Sequence, residues 1–308
     1  MEQNILAFGH KNPDTDSVVS SIVIANLRNE LNQEKVIPCR LGKVNKETEY
    51  ALSYFEIEKP KYIEEINRGT KVILVDHNEF SQSVEGIEDA KIQMVIDHHR
   101  IANFHTQEPV YYISQPVGCT STILYQLYRQ HGVSISKKMA GLMLSAILSD
   151  TLLLRSPTTT KEDEMAAEEL KKIAEVNLYG YGMQLLRAGT DLSDYEPEEL
   201  LNIDSKLFEV NETKFAIAQV NTIDIDGVMK YKDRIKAKME CEVREKGLHL
   251  YQVCVTDILN NNSEIIAVGD RTDMVEKAYN IKLENGSVLL EGVVSRKKQM
   301  VPIMSKFA

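Results

Sequence analysis

The sequence predicts an α/β protein, with a mostly parallel β-sheet that carries helices on both faces and a smaller C-terminal α+β domain. In the first half of the chain, short apolar runs alternate with longer segments whose apolar residues recur at helical spacing. Repetition of strand, loop and helix favours a parallel sheet, because parallel strands require a crossover connection. After a stretch rich in Gly, Asp, Ser and Pro this alternation changes, which indicates a second domain.

The strands of the N-terminal domain are predicted where short apolar runs are bounded by polar residues, as expected for strands buried on both faces. They occupy residues 4–9, 36–41, 71–75 and 92–96. Helices are predicted where apolar residues recur at helical spacing. They occupy residues 17–31, 47–55, 120–129 and 137–148. The last helix is strongly apolar, but it is too short to span a bilayer.

The stretch at residues 188–197 (AGTDLSDYEP) is predicted to be a linker, because its composition is typical of loops. We therefore place an N-terminal domain at 1–188, a hinge linker at 189–196 and a C-terminal domain at 197–308. The second domain contains predicted strands at residues 214–220, 248–255, 264–268 and 287–294 and a charged helix at 227–246.

The charge balance limits the classes of partner. Lys and Arg number 36, Asp and Glu number 46, and the formal net charge is -10. This argues against broad binding of nucleic acid or anionic membranes, but bound metals or a local cationic pocket could still accommodate an anionic substrate. The four cysteines form no CxxC pair, which argues against a structural zinc site. The N-terminal residues do not resemble a signal peptide, so we expect a cytoplasmic protein with free thiols.

Four polar segments follow predicted strands or close the apolar helix. They are GHKNPDTDS at residues 9–17, VDHN at 75–78, IDHHR at 96–100 and SD at 149–150. In open parallel sheets, ligands bind outside the carboxyl ends of the strands, so we expect these segments to lie close together. Their candidate site residues are His10, Asp14, Asp16, Asp76, Asp97, His98, His99 and Asp150.

These residue types favour a site for two transition-metal ions. A mixture of carboxylates with one or two imidazoles favours Mn²⁺ or Co²⁺. A zinc–thiolate site would need cysteines, and a calcium site would use oxygen ligands alone. Asp14 and Asp16 can diverge toward two ions, and Asp76 can bridge both ions through its two oxygens. Two divalent cations would cancel the negative charges of Asp14, Asp16, Asp76 and Asp150. A pair of ions about 3.5–4 Å apart is the usual arrangement for phosphoryl hydrolysis.

Structural interpretations of single residues remain open at this stage. An Asp before a helix is commonly its N-cap, and Asp16 before Ser17 fits that role. His77 lies beside Asp76 but is expected on the opposite face of the strand, so we predict a structural role for it. The metal site is favoured because capping does not require four acid- or histidine-containing segments in one domain.

A basic cluster, Arg296-Lys297-Lys298, follows the last predicted strand of an otherwise acidic chain. It is either a solvated strand end or a cationic clamp that faces the metals across a cleft between the domains. Arg offers a planar fork for phosphate oxygens, and Lys offers a point charge. Lys206, just past the linker, could join this clamp.

The segments GHKNPDTDS and VDHN, the Asp97-His98-His99 triplet and SRKKQ at residues 295–299 resemble the family II inorganic pyrophosphatases of the DHH phosphoesterase superfamily. The resemblance extends over essentially the whole chain. It implies a DHH-type metal-binding catalytic domain at 1–188 and a DHHA2-like substrate-binding domain at 197–308, with the active site in the cleft between them. It also implies a cytoplasmic homodimer whose substrate is pyrophosphate, with neither nucleic acid nor membrane as a partner.

The resemblance further implies a role for each candidate residue. The ligands of two Mn²⁺ or Co²⁺ ions per subunit would be His10, Asp14, Asp16, Asp76, His98 and Asp150, with Asp76 as a catalytic bridge. The residues that contact substrate and assist catalysis would be His99, Lys206, Arg296 and Lys297. Asp97 would orient a neighbouring side chain, and Mg²⁺ would accompany the substrate.

The expected reaction is hydrolysis of pyrophosphate to two phosphates by in-line attack of a hydroxide that bridges the two ions. Cationic side chains would neutralise charge on the leaving phosphate, and His99 could donate a proton to it. The alternatives are an exopolyphosphatase, a phosphodiesterase for short oligonucleotides and a non-catalytic metal-binding protein. SRKKQ argues against the phosphodiesterase, because those relatives are expected to have a glycine- and histidine-rich motif in its place.

Overall fold

The first of two compact units, which ends at Gly189, is built on a six-stranded sheet. The computed structural model describes residues 4–31, 35–202 and 204–308. The strands of this unit are β1 (Ile5–Phe8), β2 (Val36–Arg40), β3 (Lys61–Tyr62), β4 (Lys71–Val75), β5 (Lys91–Asp97) and β6 (Tyr111–Ser114). All neighbouring strands are parallel, in the order β3-β2-β1-β4-β5-β6, which confirms the predicted parallel sheet.

In the part of this unit that the structure describes, six α-helices accompany the sheet. They are α1 (Thr15–Glu30), α2 (Lys46–Tyr54), α3 (Thr120–His131), α4 (Lys137–Asp150), α5 (Lys161–Ala174) and α6 (Leu178–Gly189). The first four coincide with predicted helices, whereas α5 and α6 were not predicted. Throughout the described residues, every helix is too short or too polar to cross a membrane.

The strand order reverses between β1 and β4, because the chain builds the sheet outward in both directions from this central pair. Such a reversal opens a crevice at the carboxyl ends of the two strands. The polar segment after β1 and the one after β4 therefore begin beside each other. The sheet thus brings the first two predicted motifs to one edge.

Helix α1 is buried along most of its length, including the side chains of Asp16, Ser17 and Ser20. Its N-cap is Asp14, whose Oδ1 accepts a hydrogen bond of 3.0 Å from the Ser17 amide. The interpretation of Asp16 as the cap is therefore wrong, since Asp16 lies in the first helical turn. This frees the Asp16 carboxylate to accept hydrogen bonds from α3, described below.

Helix α4 ends at Asp150 in an unusual left-handed turn. Leu152, Leu153 and Leu154 have φ angles of 47°, 57° and 63°, a conformation that bulky L-residues rarely adopt. The Thr151 carbonyl accepts hydrogen bonds from the next two amides after the turn, at 2.8 Å each. Leu153 is buried against Gly182 of α6, where a Cβ would lie 2.2 Å from a leucine methyl group.

The second unit contains a five-stranded sheet of mixed direction. Its strands are β7 (Ser205–Val210), β8 (Thr213–Thr222), β9 (Leu250–Asp257), β10 (Asn262–Val268) and β11 (Ser287–Glu291). The order is β11-β10-β9-β8-β7, and only the β8–β9 pair among these is parallel. With the helices described next, this sheet confirms the prediction of a smaller α+β domain.

The helices of the second unit are α7 (Ile225–Met229), α8 (Lys232–Lys246), α9 (Asp273–Tyr279) and α10 (Val301–Met304). Alternate strand residues pack into two separate cores, one with the apolar side chains of α8 and the other with those of α9 and α10. The predicted single helix at 227–246 is wrong, because α7 ends at Met229 and α8 begins at Lys232. The last strand also ends earlier than predicted, before Gly292, whose φ is 71°.

Candidate metal centre

Asp76 is the residue around which the candidate ligands gather. It follows β4, is 1% exposed and has a left-handed backbone with φ of 58°. Its Oδ2 lies 3.4 Å from His10 Nε2, and its Oδ1 lies 3.4 Å from His98 Nε2. The two carboxylate oxygens therefore face imidazoles from two different segments.

Among the described residues, the ligand atoms form three compact groups, each with all its atoms within 4.8 Å of one another. The groups are His10, Asp14 and Asp76; Asp76, His98 and His99; and Asp16, Cys119 and Asp150. All six residues predicted as metal ligands belong to these groups, and Asp14 and Asp16 diverge into separate ones. Cys119 was not predicted, and it had no sequence signal beyond its place before α3.

Both candidate histidine ligands are oriented by backbone carbonyls. His10 Nδ1 contacts the Lys11 carbonyl at 2.8 Å, and His98 Nδ1 contacts the Val117 carbonyl at 3.0 Å. Donation from Nδ1–H leaves Nε2 of each ring directed at Asp76. Metal-binding histidines usually have this arrangement, with the second nitrogen fixed by an outer partner. The residues therefore fit a pair of ions of the Mn²⁺ or Co²⁺ type.

Asp16 closes the N-terminus of α3 from outside that helix. Cys119 occupies the N-cap position of α3 without a side-chain capping bond, so the first amides need another acceptor. Asp16 accepts from the Thr120 amide at 2.7 Å and the Ser121 amide at 3.1 Å. The Thr120 hydroxyl in turn donates to Asp76 Oδ1 at 3.1 Å. The start of α3 thus holds two candidate ligands.

Asp97 orients His99 rather than joining a ligand group. Its Oδ1 lies 2.9 Å from His99 Nδ1, and its Oδ2 accepts from Asn78 Nδ2 at 2.6 Å. The hydrogen bond to Asp97 raises the pKa of His99 despite partial burial. His99 remains about half exposed, whereas Asp97 is buried. His99 is therefore the imidazole of this cluster that a substrate could most readily reach.

His77 lies in the core, in agreement with the structural role expected for it. Its Nδ1 donates to the Val75 carbonyl at 2.9 Å, and its ring lies 6.3 Å from that of Phe8. Burial lowers the pKa of His77 to about 4. Its imidazole is therefore neutral at physiological pH.

Glu47 is a further acid beside the ligands that the sequence did not single out, because it lies within an ordinary predicted helix. Its Oε1 accepts from the Thr15 hydroxyl at 2.7 Å and from the Ser149 hydroxyl. Burial raises the pKa of Glu47. Through these two hydroxyls, Glu47 connects the segment containing Asp14 to the one containing Asp150.

Without a cation, the cluster balances its charge with protons. Burial and the nearby Asp76 raise the pKa of Asp16 to about 6, and burial and the nearby aspartates also raise the pKa of Asp150. Burial alone would lower the pKa values of His10 and His98, but their contacts with the aspartates raise them to about 11 and about 9. The same contacts lower the pKa of Asp76, although burial opposes this.

We therefore expect Mn²⁺ binding to release protons and to strengthen as the pH rises. Below the raised pKa values of His10 and His98, Mn²⁺ must displace a proton from each imidazole. Each displaced proton makes the affinity rise by about tenfold per pH unit. Calorimetric titration of chelator-stripped protein in two buffers of different ionisation enthalpy would measure this release. An affinity that did not change between about pH 6 and pH 8 would contradict this electrostatic description.

In the second unit, Arg296 is already engaged by a carboxylate. Its Nη2 donates to both oxygens of Asp204, at 2.7 and 2.9 Å. Its Nη1 donates to the carbonyls of Asp204 and Ile217, at 2.7 and 3.2 Å. The Arg296 guanidinium, which was expected to bind phosphate, thus contacts Asp204 in this structure. Lys206 pairs in register with Ile217, so it lies on the strand beside this guanidinium.

The basic cluster forms the first three residues of a short π-helical segment, Arg296–Met300. The Gln299 side chain folds back onto the chain before the segment, where its Oε1 accepts from the amides of Val294 and Ser295 at 2.9 Å each. Arg296 is buried, whereas Lys297 and Lys298 are exposed. The two lysines are therefore presented on a segment whose backbone is fixed by its own side chains.

Models of two protein families match this chain. One, described as "DHH family, N-terminal domain", matches residues 4–147, and the other, described as "DHHA2 domain", matches residues 183–307. A Bacillus velezensis protein named "Probable manganese-dependent inorganic pyrophosphatase" is 52% identical over 306 residues, which cover 98% of each chain. A Brevibacillus brevis protein of the same name is 51% identical, covering 99% of this chain and 98% of its own.

A solved structure gives the same assignment. The crystal structure of a Methanococcus jannaschii protein assigned to the family II inorganic pyrophosphatases matches with a TM-score of 0.65 and 40% identity, over 98% of this chain and 99% of that one. An exopolyphosphatase-related protein from Bacteroides fragilis has a TM-score of 0.50 at 15% identity, over 99% of this chain and 91% of that one, which shows a shared fold alone. By its identity with these relatives along nearly its whole length, the chain belongs to the family II, manganese-dependent inorganic pyrophosphatases of the DHH phosphoesterase superfamily.

Proposed function

We propose that this protein hydrolyses inorganic pyrophosphate to two phosphates with two Mn²⁺ or Co²⁺ ions per subunit. The observation that supports this most directly is the position of Asp76 between two groups of ligand atoms, with one oxygen facing each group. The relatives of this protein in the family are named for manganese-dependent pyrophosphatase activity.

The proposed ion ligands are the six residues that the sequence indicated: His10, Asp14, Asp16, Asp76, His98 and Asp150. Such ions, when bound, would polarise phosphoryl oxygens and make a water molecule a better nucleophile near neutral pH. The chain's own contribution is to hold this donor set in place. His98 is fixed by Val117, and Asp16 is fixed by the start of α3.

The proposed substrate-binding residues are His99, Lys206, Arg296 and Lys297. His99 is exposed and is held by Asp97, so it could donate a proton to the leaving phosphate. Lys206 and Lys297 are exposed cations that can neutralise phosphate charge. Arg296 would bind phosphate with its fork only after exchanging the Asp204 carboxylate for the substrate. Mg²⁺ is proposed to accompany pyrophosphate.

The domain boundaries, the location in the cell and the oligomeric state complete the proposal. We propose a catalytic domain at residues 1–188, a hinge linker at 189–196 and a substrate-binding domain at 197–308. We also propose that the protein is a cytoplasmic homodimer. Size-exclusion chromatography with light scattering would test the dimer directly.

The function is tested by measuring phosphate release from pyrophosphate after chelator stripping, with and without incubation in Mn²⁺. We expect the stripped enzyme to be nearly inactive and Mn²⁺ to restore it. Long-chain polyphosphate and a short oligonucleotide, supplied at the same concentration, serve as control substrates. Preferential hydrolysis of either control would favour an alternative activity. If none of the three substrates is hydrolysed, with release of nucleotides measured for the oligonucleotide, a non-catalytic role would be favoured.

A further inference from the structure

We propose that Asp163 is a positioning residue for the metal centre, an inference that rests on the proposed function. Asp163 lies on α5 and is completely buried. It belongs to none of the three groups of ligand atoms. Its carboxylate instead fixes the segment 117–122, which enters α3 and contacts three candidate ligands.

The two oxygens of Asp163 divide their hydrogen bonds between two parts of the chain. At the start of its own helix, Oδ2 accepts from the amide and the hydroxyl of the N-cap residue Thr160, at 2.8 Å each. Across the fold, Oδ2 accepts from the Gly118 amide at 2.8 Å, and Oδ1 accepts from the Thr122 hydroxyl at 2.6 Å. Capping of α5 requires only the contacts with Thr160. The contacts with Gly118 and Thr122 therefore point to a second role.

The segment 117–122 is the part of the chain that orients the ligands. The Val117 carbonyl faces His98 Nδ1, the Thr120 amide donates to Asp16, and the Thr120 hydroxyl donates to Asp76. Of the two partners of Asp163, Gly118 directly follows Val117, and Thr122 lies two residues after Thr120. A shift of the segment would therefore misplace His98, Asp16 and Asp76 together.

Gly118 fits closely between α5 and the end of α4. A Cβ at this position would lie 2.6 Å from Asp163 Oδ2 and 2.9 Å from the Thr151 methyl group. Thr151 directly follows Asp150, another candidate ligand. The absence of a side chain at Gly118 thus lets the Asp163 carboxylate reach the backbone of the segment.

Because Asp163 is buried, its replacement is expected to have a large effect on the segment that it holds. A carboxylate removed from water is tolerated only when its oxygens are hydrogen-bonded, and loss of one partner leaves the others unpaired. The Gly118 amide and the Thr122 hydroxyl would lose their acceptor if Asp163 were replaced. Mutation of residues that hold metal ligands from outside the coordination shell typically lowers metal affinity by about 10–100-fold.

Two threonines provide a matched pair of variants, because each donates its hydroxyl to Asp163. Thr122→Val removes one of the two hydrogen bonds to the ligand-orienting segment, and Thr160→Val removes the hydroxyl hydrogen bond at the N-cap of α5. We expect Thr122→Val to weaken Mn²⁺ binding by about tenfold or more. Thr160→Val should lower the melting temperature without changing the affinity. Binding of Mn²⁺ alone to the chelator-stripped full chain would be measured by calorimetry, with thermal unfolding of the metal-free protein in parallel.

Substitutions of Asp163 itself extend the test. Asp163→Ala should weaken Mn²⁺ binding at least as much as Thr122→Val. Asp163→Asn should retain more of the Mn²⁺ affinity than Asp163→Ala does, because the side-chain oxygen of Asn can accept from Gly118 while its NH₂ group donates to Thr122. If Asp163→Ala does not fold, the two threonine variants still decide the question.

The possible results separate this inference from the proposed function. If Thr122→Val and Thr160→Val bind Mn²⁺ as tightly as the wild type and differ only in melting temperature, Asp163 is a helix cap and the inference is overturned. If the wild type itself binds no Mn²⁺, the metal centre and the proposed function fail together with it. Wild-type binding with selective weakening in Thr122→Val and Asp163→Ala supports the positioning role.

Discussion

Replacement of Asp76 by Asn is expected to abolish hydrolysis of pyrophosphate, with kcat/KM lower by about 10³-fold or more. Asp76 offers one oxygen to the group with His10 and the other to the group with His98. An amide retains one oxygen and presents N–H groups in place of the second, so at least one group loses a ligand atom. Asn also tolerates the left-handed backbone at this position, which keeps the substitution local.

The experiment combines phosphate release with the Mn²⁺ content of the dialysed protein. Glu79→Gln is a suitable control, because it removes one negative charge from the same loop and Glu79 pairs only with exposed Arg100 among the described residues. The control should retain its activity and its metal. Wild-type turnover by Asp76→Asn would show that Asp76 does not bridge two ions.

Lys297→Ala is expected to lower kcat/KM by about 10²-fold while Mn²⁺ binding stays unchanged. Lys297 is an exposed cation of the π-helical segment and is not a member of any of the candidate ligand groups found among the described residues. Its charge is proposed to neutralise phosphate oxygens, so its loss should affect the reaction and leave the metal centre intact.

Lys298→Ala provides the matched control for this variant. Lys298 is the next residue of the same segment, is also exposed and is not assigned to substrate. Its substitution should leave kcat/KM nearly unchanged. An equal loss in both variants would indicate a general effect of positive charge. Loss of Mn²⁺ from Lys297→Ala would contradict a role in substrate binding alone.

The central strands could be predicted from sequence because strands buried on both faces must be apolar. The strands β1, β4 and β5 were found for this reason. The missed strands, β3, β6 and β7, all lie at the edges of their sheets. An edge strand is partly open to solvent and needs no continuous apolar run. Helix α5 did carry a signal, the capping box formed by Thr160 and Asp163, which the apolar periodicity alone did not reveal.

The candidate ligands could be predicted because parallel strands present their carboxyl ends at one edge of the sheet. The surrounding hydrogen bonds could not, since they join residues far apart in sequence. Asp16 and Thr120 are 104 positions apart, and Asp163 and Gly118 are 45 apart. Such partners depend on how helices pack, which no local pattern specifies. The ion pair of Arg296 with Asp204 was missed for the same reason.

The left-handed turn at residues 152–154 has a consequence for local stability. Three successive L-residues in this conformation store strain of about 1–2 kcal/mol each, which unfolding of the turn would release. The end of α4 should therefore open more often than the rest of the helix, and its amides should exchange sooner with deuterium in the solvent. Burial of Leu153 opposes this opening. A cation bound to Asp150 would oppose it too, so exchange at these few amides would report ion occupancy at the adjacent carboxylate.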